Sequence, residues 1–266
     1  EQIAGLPVIL TSHRGVSAFA ISPLSALSDS LPEVSRYSYD SESVRPYLYE
    51  VTLLEPEVRV RYAPSYRSAI YQFNFERAKA GHHLVFSTPD GELVASGKNL
   101  FGYQQLEDST RVYLYAELDA EPTERLVRDT LTGRLATVDG VARGNTLCLS
   151  FAKQGVTLRY GVSYISVEQA KRNVEREIQS FEVNLVAKYG RNEWSKALDK
   201  VEIEGGTPEE RRVFYTSLYR TYERMICLSE DGRYWSGFDK KVHDDEGVPF
   251  YTDDWLWDTY RATHPL

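Results

Sequence analysis

Val156-Thr157-Leu158-Arg159-Tyr160-Gly161-Val162-Ser163-Tyr164 is the stretch that decides the fold, because large apolar residues alternate there with polar or small ones. This two-residue period is typical of a β-strand with one buried face. The same alternation returns at residues 58–62, 71–75 and 112–118. Turn signals such as Pro89-Asp90-Gly91 and Thr132-Gly133 separate the strands. Many short strands without helices between them indicate an antiparallel β-sandwich.

The pattern changes after this strand, at Ser166. The sequence Ser166-Val-Glu-Gln169 has the form of a capping box, which opens a helix. Apolar residues follow at helical spacing, namely Val167, Ala170, Val174, Ile178 and Phe181. A second short helix is predicted to contain residues 193–198. Cys227 lies in an apolar stretch that also suggests a helix.

A third helix begins at Thr207-Pro208-Glu209-Glu210, with Thr at the N-cap, Pro at the first helical position and Glu at the third. Its apolar stripe is predicted to pack against neighbouring helices and comprises Phe214, Leu218, Tyr222 and Met225. The predicted layout is therefore a β-sandwich at residues 1–165, a helical linker at 166–206 and the beginning of an all-helical domain at 207–266.

Composition and charge exclude several classes of protein. The net charge is −8, from 31 basic and 39 acidic residues of interspersed sign, which argues against nucleic-acid binding. No apolar run approaches the ~18 residues of a membrane span, and residues 1–10 do not resemble a signal peptide. The two cysteines, Cys148 and Cys227, are predicted to be buried thiols that form neither a disulfide nor a metal site.

Motif searches leave two candidate regions. No phosphate-binding glycine loop and no GxSxG nucleophile motif is present, and His82-His83 is interpreted as a strand edge. The first candidate region is residues 232–239, followed by His243-Asp244-Asp245-Glu246-Gly247. Its carboxylates suit a hard cation such as calcium, but the spacing of an EF-hand loop is missing. A solvated loop is the favoured interpretation, and no metal ligand is assigned.

The second candidate region is Asp253-Asp254-Trp255-Leu256-Trp257-Asp258-Thr259-Tyr260-Arg261. Aromatic faces beside charged groups suit a sugar, since the rings cover its C–H faces and the charges bind its hydroxyls. The alternatives are structural: Trp255 and Trp257 in a core, and Asp258–Arg261 as a helical ion pair.

Three stretches resemble glycoside hydrolase family 92, the calcium-dependent exo-α-mannosidases. Residues 37–49 are similar to the family's Ser-His-Asp-Asn-Glu segment and the strand after it, with Tyr39 where a His is common. Residues 162–170 resemble its junction between sandwich and helices. The most specific similarity is the block from Gly232-Arg-Tyr through Trp257-Asp258-Thr-Tyr-Arg261 to His264-Pro265-Leu266.

The resemblance implies an N-terminal β-sandwich, a helical linker and an (α/α)6 toroid, with further sandwich strands before Glu1 and most of the toroid after Leu266. It implies inversion at the anomeric carbon, by an acid and a base that both lie outside this chain, as do the calcium ligands. Trp257 and Asp258 map to the mannose subsite, as a stacking face and a hydroxyl acceptor.

We therefore expect part of an exo-acting inverting α-mannosidase that hydrolyses terminal α-mannosides of N-glycan type. Its partners would be mannose-containing glycans, and its location periplasmic or extracellular. No catalytic residue is assigned within the chain, so the 266 residues alone are predicted to be inactive. The alternative is a non-catalytic carbohydrate-binding or structural β-sandwich, and neither linkage specificity nor oligomeric state follows from the sequence.

Overall fold

The structure is a computed structural model. It describes residues 2–8, 18–32, 34–75, 81–106, 109–222, 225–252, 254, 256–261 and 263–265; of Asp258 it describes the backbone alone. The described residues form two compact units, the first ending at Gly190 and the second beginning at Arg191.

The first unit consists of β-strands followed by helices. Its strands are β1 (Ile3–Ala4), β2 (Leu6–Val8), β3 (Phe19–Leu24), β4 (Arg36–Tyr37), β5 (Tyr39–Arg45), β6 (Leu48–Leu53), β7 (Val58–Pro64), β8 (Ser68–Asn74), β9 (His83–Ser87), β10 (Gly91–Ser96), β11 (Asn99–Gln105), β12 (Arg111–Leu118), β13 (Glu124–Arg128), β14 (Leu135–Thr137), β15 (Ala142–Gly144), β16 (Thr146–Ser150) and β17 (Gly155–Ser163). Helix α1 (Val167–Glu177) follows, and α2 (Val183–Leu198) begins in this unit and ends in the second.

Two antiparallel sheets form the predicted sandwich. Within the described ranges, the larger sheet has nine strands in the order β15-β10-β11-β12-β17-β8-β7-β6-β5, and the smaller has six in the order β14-β13-β16-β9-β3-β2. All four alternating sequence runs are strands of the larger sheet. Strand β17 lies near its centre, paired with β12 and β8. The sandwich prediction is confirmed.

The alternation places one face of each sheet in a shared core. In β12, Val112, Leu114 and Ala116 are buried, while the residues between them are partly exposed. Apolar side chains of both sheets, such as Phe73 and Phe86, belong to the same buried cluster. Burial of this apolar area supplies the main stabilisation of the sandwich.

The outer face of the larger sheet is covered by helices. Val174 of α1 and Val186 of α2 belong to a second buried cluster, together with Ala63 and Ile70 of the sheet. Gly161 of β17 allows α1 to approach closely. A Cβ atom at this position would lie 2.3 Å from the carbonyl oxygen of Ala170, within the helix.

Helices α1 and α2 differ from their predicted bounds. Helix α1 ends at Glu177, before the predicted apolar position Phe181. The reason is a tertiary contact: Arg159 of β17 donates a hydrogen bond to the Ile178 carbonyl, and its guanidinium lies over the Phe181 ring, 5.1 Å from the centroid. Helix α2 begins at Val183, ten residues before the predicted segment, because its first turns bury apolar side chains in the second cluster.

The second unit contains α3 (Pro208–Thr221), β18 (Ile226–Cys227), β19 (Arg233–Ser236), β20 (Lys241–Asp244), β21 (Tyr251–Thr252) and α4 (Leu256–Thr259). The predicted cap of α3 is confirmed, since Thr207 and Glu210 form a reciprocal capping box. Within the described residues, part of its apolar stripe is packed as predicted. Leu218 is buried and Tyr222 contacts Trp194 of α2, but Phe214 and Met225 are 36% and 42% exposed.

Cys227 differs from prediction, whereas the two histidines lie at the start of a strand, as the sequence indicates. Cys227 lies in β18 and pairs with Tyr251, so the helical interpretation was wrong; strand pairing overrides the local apolar pattern. It is half-buried and Cys148 is buried, and neither forms a disulfide. His83 begins β9, an interior strand of the smaller sheet, and its ring contacts the Ser150 hydroxyl at 2.9 Å.

Strand β5 forms one edge of the larger sheet within the described part of the chain. Its pairing with β6 shifts register between Asp40 and Ser43, so β5 carries one extra residue there. Ser41, inside this bulge, has a φ of 53°, in the left-handed region. The strand is also short of apolar residues and is largely exposed.

None of the helices within the described ranges is sufficiently long and apolar to span a lipid bilayer.

Candidate functional site

The second unit contains the C-terminal segment that the sequence singles out for sugar chemistry. Helix α4 is its only regular element among the described residues after Thr252. Asp254 anchors the helix: its carboxylate accepts hydrogen bonds from the Thr259 hydroxyl at 2.6 Å and from His264 Nε2 at 3.2 Å. Thr259 is buried. These bonds, the Thr259 contact foremost, hold the pKa of Asp254 below its usual value.

Backbone hydrogen bonds continue the turn beyond the helix. The Tyr260 amide donates to the Leu256 carbonyl, and the His264 amide donates to the Thr259 carbonyl, each at 3.1 Å. Asp254 and His264 thus bracket the segment from both sides. The arrangement fixes the backbone of α4, from which the Trp257 side chain projects.

Trp257 projects from this anchored turn and is 81% exposed. The predicted alternative, in which Trp257 belongs to a core, is not seen within this chain. Its ring lies 6.3 Å from that of Tyr260, at an interplanar angle of 53°. Trp257 therefore presents an open aromatic surface beside a second, partly exposed ring.

Asp258 follows Trp257 within α4, and only its backbone is described. Its predicted ion pair with Arg261 therefore falls outside the described atoms. Arg261 contacts Tyr260: Nε donates to the phenol oxygen at 2.5 Å, and the guanidinium lies 5.3 Å from the ring centroid. Trp255, the other tryptophan of the motif, lies outside the described residues.

The first candidate region forms a β-hairpin at residues 233–244, and its acidic run continues into a largely exposed loop at residues 245–247, as the solvated-loop interpretation predicts. Strands β19 and β20 pair Arg233 with Asp244 and Tyr234 with His243. At the connecting turn, His243 Nε2 lies 2.8 Å from the Asp239 carboxylate. A hydrogen bond from Ser236, with this His243 contact, holds the pKa of Asp239 below its usual value.

The carboxylates of the hairpin do not converge on a cation position. Within the described part of the chain, no three His, Cys, Asp or Glu side chains are grouped as metal ligands. The described residues therefore do not fit a calcium site, and no chemistry through calcium is derived from them.

No pattern in the sequence predicts two features of this unit. One is Asp254, whose partners lie five and ten positions later, a spacing with no helical or strand period. The other is the parallel stacking of Tyr234 on Phe250, with ring centroids 4.1 Å apart and an interplanar angle of 6°. Only the pairing of the hairpin and of β18 with β21 brings these rings together.

Sequence comparison with models of protein families matches both parts of the chain. Residues 1–163 match the N-terminal domain of glycosyl hydrolase family 92. Residues 169–266 match the catalytic domain of the same family. The chain belongs to glycosyl hydrolase family 92. The resemblance noted in the sequence is thereby confirmed, and the chain contains the N-terminal sandwich of the family and the start of its helical domain.

Solved structures agree with this assignment to family 92. A family 92 inverting mannosidase from Bacteroides thetaiotaomicron VPI-5482 is 28% identical, with a TM-score of 0.77 over 93% of this chain and 35% of that one. A family 92 α-mannosidase from Bacteroides thetaiotaomicron is 25% identical, with a TM-score of 0.79 over 94% and 38%. A third family 92 glycosyl hydrolase, 22% identical with a TM-score of 0.80 over 97% and 39%, supports the fold alone.

The chain spans little more than a third of the length of these solved relatives. No match was found among curated proteins. Homologues of the chain are thus glycoside hydrolases, and the family 92 sandwich together with the beginning of the helical domain is what the structure contains.

Proposed function

We propose that this chain is part of an exo-acting, inverting α-mannosidase that hydrolyses terminal α-mannosides of N-glycans. The observation that carries the proposal is the family match, which continues from the sandwich into the catalytic domain as far as the Trp257-Asp258 segment. The 28%-identical relative is an inverting mannosidase, which favours the same reaction and sugar here.

Trp257 and Asp258 are the residues that we assign to the mannose subsite. The exposed ring of Trp257 can cover the C–H face of a pyranose, as aromatic rings do in sugar sites. The carboxylate at the next position would accept hydrogen bonds from the sugar hydroxyls, and such charge-assisted bonds are stronger than neutral ones. Asp254, Thr259 and His264 support this subsite by fixing the turn.

The reacting carboxyl groups of an inverting glycosidase stand ~6.5–9.5 Å apart, one protonating the leaving oxygen and the other activating water. We assign neither role to a residue of this chain. In our proposal the acid, the base and the calcium ligands belong to other parts of the complete enzyme, and the 266 residues alone are inactive. Mannose-containing glycans outside the cytoplasm, in the periplasm or the medium, are the expected substrates.

The test uses the enzyme expressed from its complete reading frame. We expect mannose release from α-mannosides, with β-mannose as the first anomer seen by proton NMR. Asp258→Ala should lower kcat/KM roughly tenfold or more, since a lost hydroxyl contact in a desolvated site costs about 1 kcal/mol or more. Trp257→Ala should lower it as well.

Asp199→Ala is the matched control, because Asp199 is an exposed aspartate just after α2 and lies outside the proposed subsite. It should retain wild-type kinetics. Absence of any α-mannoside hydrolysis by the complete enzyme would refute the proposed reaction. Wild-type kcat/KM in Asp258→Ala would remove that residue from the subsite.

A further inference from the structure

Helix α4 is held by a closed set of hydrogen bonds that joins three residues in pairs. The Thr259 hydroxyl donates to one carboxylate oxygen of Asp254 at 2.6 Å, and His264 Nε2 donates to the other at 3.2 Å. The His264 amide donates to the Thr259 carbonyl at 3.1 Å, which closes the set. Each of the three residues is therefore fixed by the other two.

These bonds matter because α4 is very short. It consists of the four residues Leu256–Thr259, about one helical turn. A segment of this length is not a stable helix by itself in water, since its nucleation is unfavourable and few hydrogen bonds compensate for it. Asp254 and His264 lie before and after the helix in the sequence. They supply from outside the contacts that the helix cannot make internally.

The same bonds set the rotation of α4 about its own axis. Thr259 is 4% exposed, so its side chain points into the protein. Successive helical residues are rotated by about 100°, which places the side chain two positions earlier on nearly the opposite face. That residue is Trp257, which is 81% exposed. The inward anchoring of Thr259 therefore turns the Trp257 ring outward.

We propose that Thr259 is a positioning residue for sugar binding, because its hydroxyl bond to Asp254 fixes the direction in which the Trp257 ring projects. Thr259 does not touch the sugar and acts only through Trp257. The inference rests on the proposed function, in which Trp257 is the stacking face of the mannose subsite. A ring that is ordered before the sugar arrives loses less entropy on binding, so the anchor raises the affinity.

The experiment measures kcat and KM of the complete enzyme for an aryl α-mannoside. Thr259→Val removes the hydroxyl and keeps the branched shape of the side chain. It should lower kcat/KM about fivefold, the order expected for one lost hydrogen bond. Most of the loss should appear in KM, because stacking stabilises the bound substrate and the transition state alike. Thr259→Ser keeps the hydroxyl and should remain within about twofold of the wild type.

A double-mutant cycle with Trp257→Ala separates positioning from general stabilisation. In the Trp257→Ala background, Thr259→Val should change kcat/KM by less than about twofold, because the ring through which it acts is absent. Asp254→Ala removes the acceptor of the same bond at a side chain that is 30% exposed, and its effect should depend on Trp257 in the same way. This second variant decides the question if Thr259→Val does not fold.

Thr221→Val is the matched control. The Thr221 hydroxyl donates to the Leu218 carbonyl at 2.7 Å at the end of α3, so this variant also removes a hydroxyl hydrogen bond of a partly buried threonine in the second unit. It should keep the wild-type kcat/KM. An equal loss in Thr221→Val and Thr259→Val would overturn the inference.

Failure of this inference and failure of the proposed function give different results. Suppose that the enzyme hydrolyses α-mannosides, and that Thr259→Val and Asp254→Ala each lower kcat/KM by the same factor with and without the Trp257 ring. The positioning role alone would then be overturned. Wild-type kinetics in both variants would overturn it too. Absence of α-mannoside hydrolysis by the complete wild-type enzyme would refute the proposed function, and the positioning role with it.

Discussion

Gly161→Ala tests how closely α1 packs on the larger sheet. The added Cβ would lie 2.3 Å from the Ala170 carbonyl oxygen and 3.0 Å from the Val174 amide nitrogen. Both atoms belong to the helix backbone, so no side-chain rotation relieves the clash. Restoring normal contact distances requires α1 to move by roughly 1 Å away from the sheet. That movement loosens the packing of the buried residues Val174 and Ile178.

The expected loss follows from two opposing contributions to the free energy of unfolding. Overpacking in a well-packed interior costs about 1–3 kcal/mol, while Gly→Ala restricts the unfolded chain and returns about 0.4–1 kcal/mol. Overpacking prevails here because the clash is with backbone. A domain of 150–250 residues loses about 2–4 °C in Tm per kcal/mol, so Tm should fall by several degrees.

The assay is thermal unfolding followed by circular dichroism, with Gly155→Ala as the control. Gly155 lies in the same strand, and a Cβ there meets no atom within 4 Å. The control should therefore keep or slightly raise Tm. Equal Tm values for Gly161→Ala and Gly155→Ala would show that α1 does not approach β17 as described, and the reasoning would be wrong.

Three further predictions concern caps, titration and thiol chemistry. Thr207→Ala removes the N-cap of α3 and should lower the free energy of unfolding by about 0.5–2 kcal/mol in urea titrations. Thr207→Ser, which keeps the hydroxyl, should retain the wild-type stability. An unchanged stability of Thr207→Ala would contradict the capping box. The pKa of Asp254 is depressed in the folded state, so its bonds to Thr259 and His264 should persist above the unfolded pKa and disappear as pH falls below about 4. Below that pH, amide exchange at Tyr260 should accelerate in the wild type but not in Asp254→Ala. Burial raises the pKa of Cys148 to about 12, so a thiol reagent should leave Cys148 unlabelled in the folded protein and label it after denaturation; rapid labelling without denaturant would refute its burial.

The sandwich was predictable because its signal is local. The alternation at residues 156–164 predicts which side chains of β17 face the core, and neighbouring strands repeat the same pattern. The capped starts of α1 and α3 were equally readable, since Ser166 and Thr207 bond to amides within three residues.

Errors arose where distant residues decide the local structure. The end of α1 depends on Arg159, which belongs to a strand, and the early start of α2 depends on apolar contacts with the sheet. Cys227 is a strand residue because Tyr251 pairs with it. In the candidate site, residue type alone pointed to Trp257. The anchoring role of Asp254 and the Tyr234–Phe250 stack exist only in the folded chain, so no sequence period reveals them.

The bulge in β5 has a consequence for how this sandwich behaves in solution. An open, flat edge strand offers unpaired amides and carbonyls to other molecules and so promotes aggregation. The extra residue and the left-handed Ser41 twist this edge and interrupt its hydrogen-bonding row. Charged side chains at Asp40, Glu42 and Arg45 add repulsion and a hydration shell. Within the described part of the chain, the irregularity therefore makes this edge a poor template for pairing with another strand, and the sheet is less regular there.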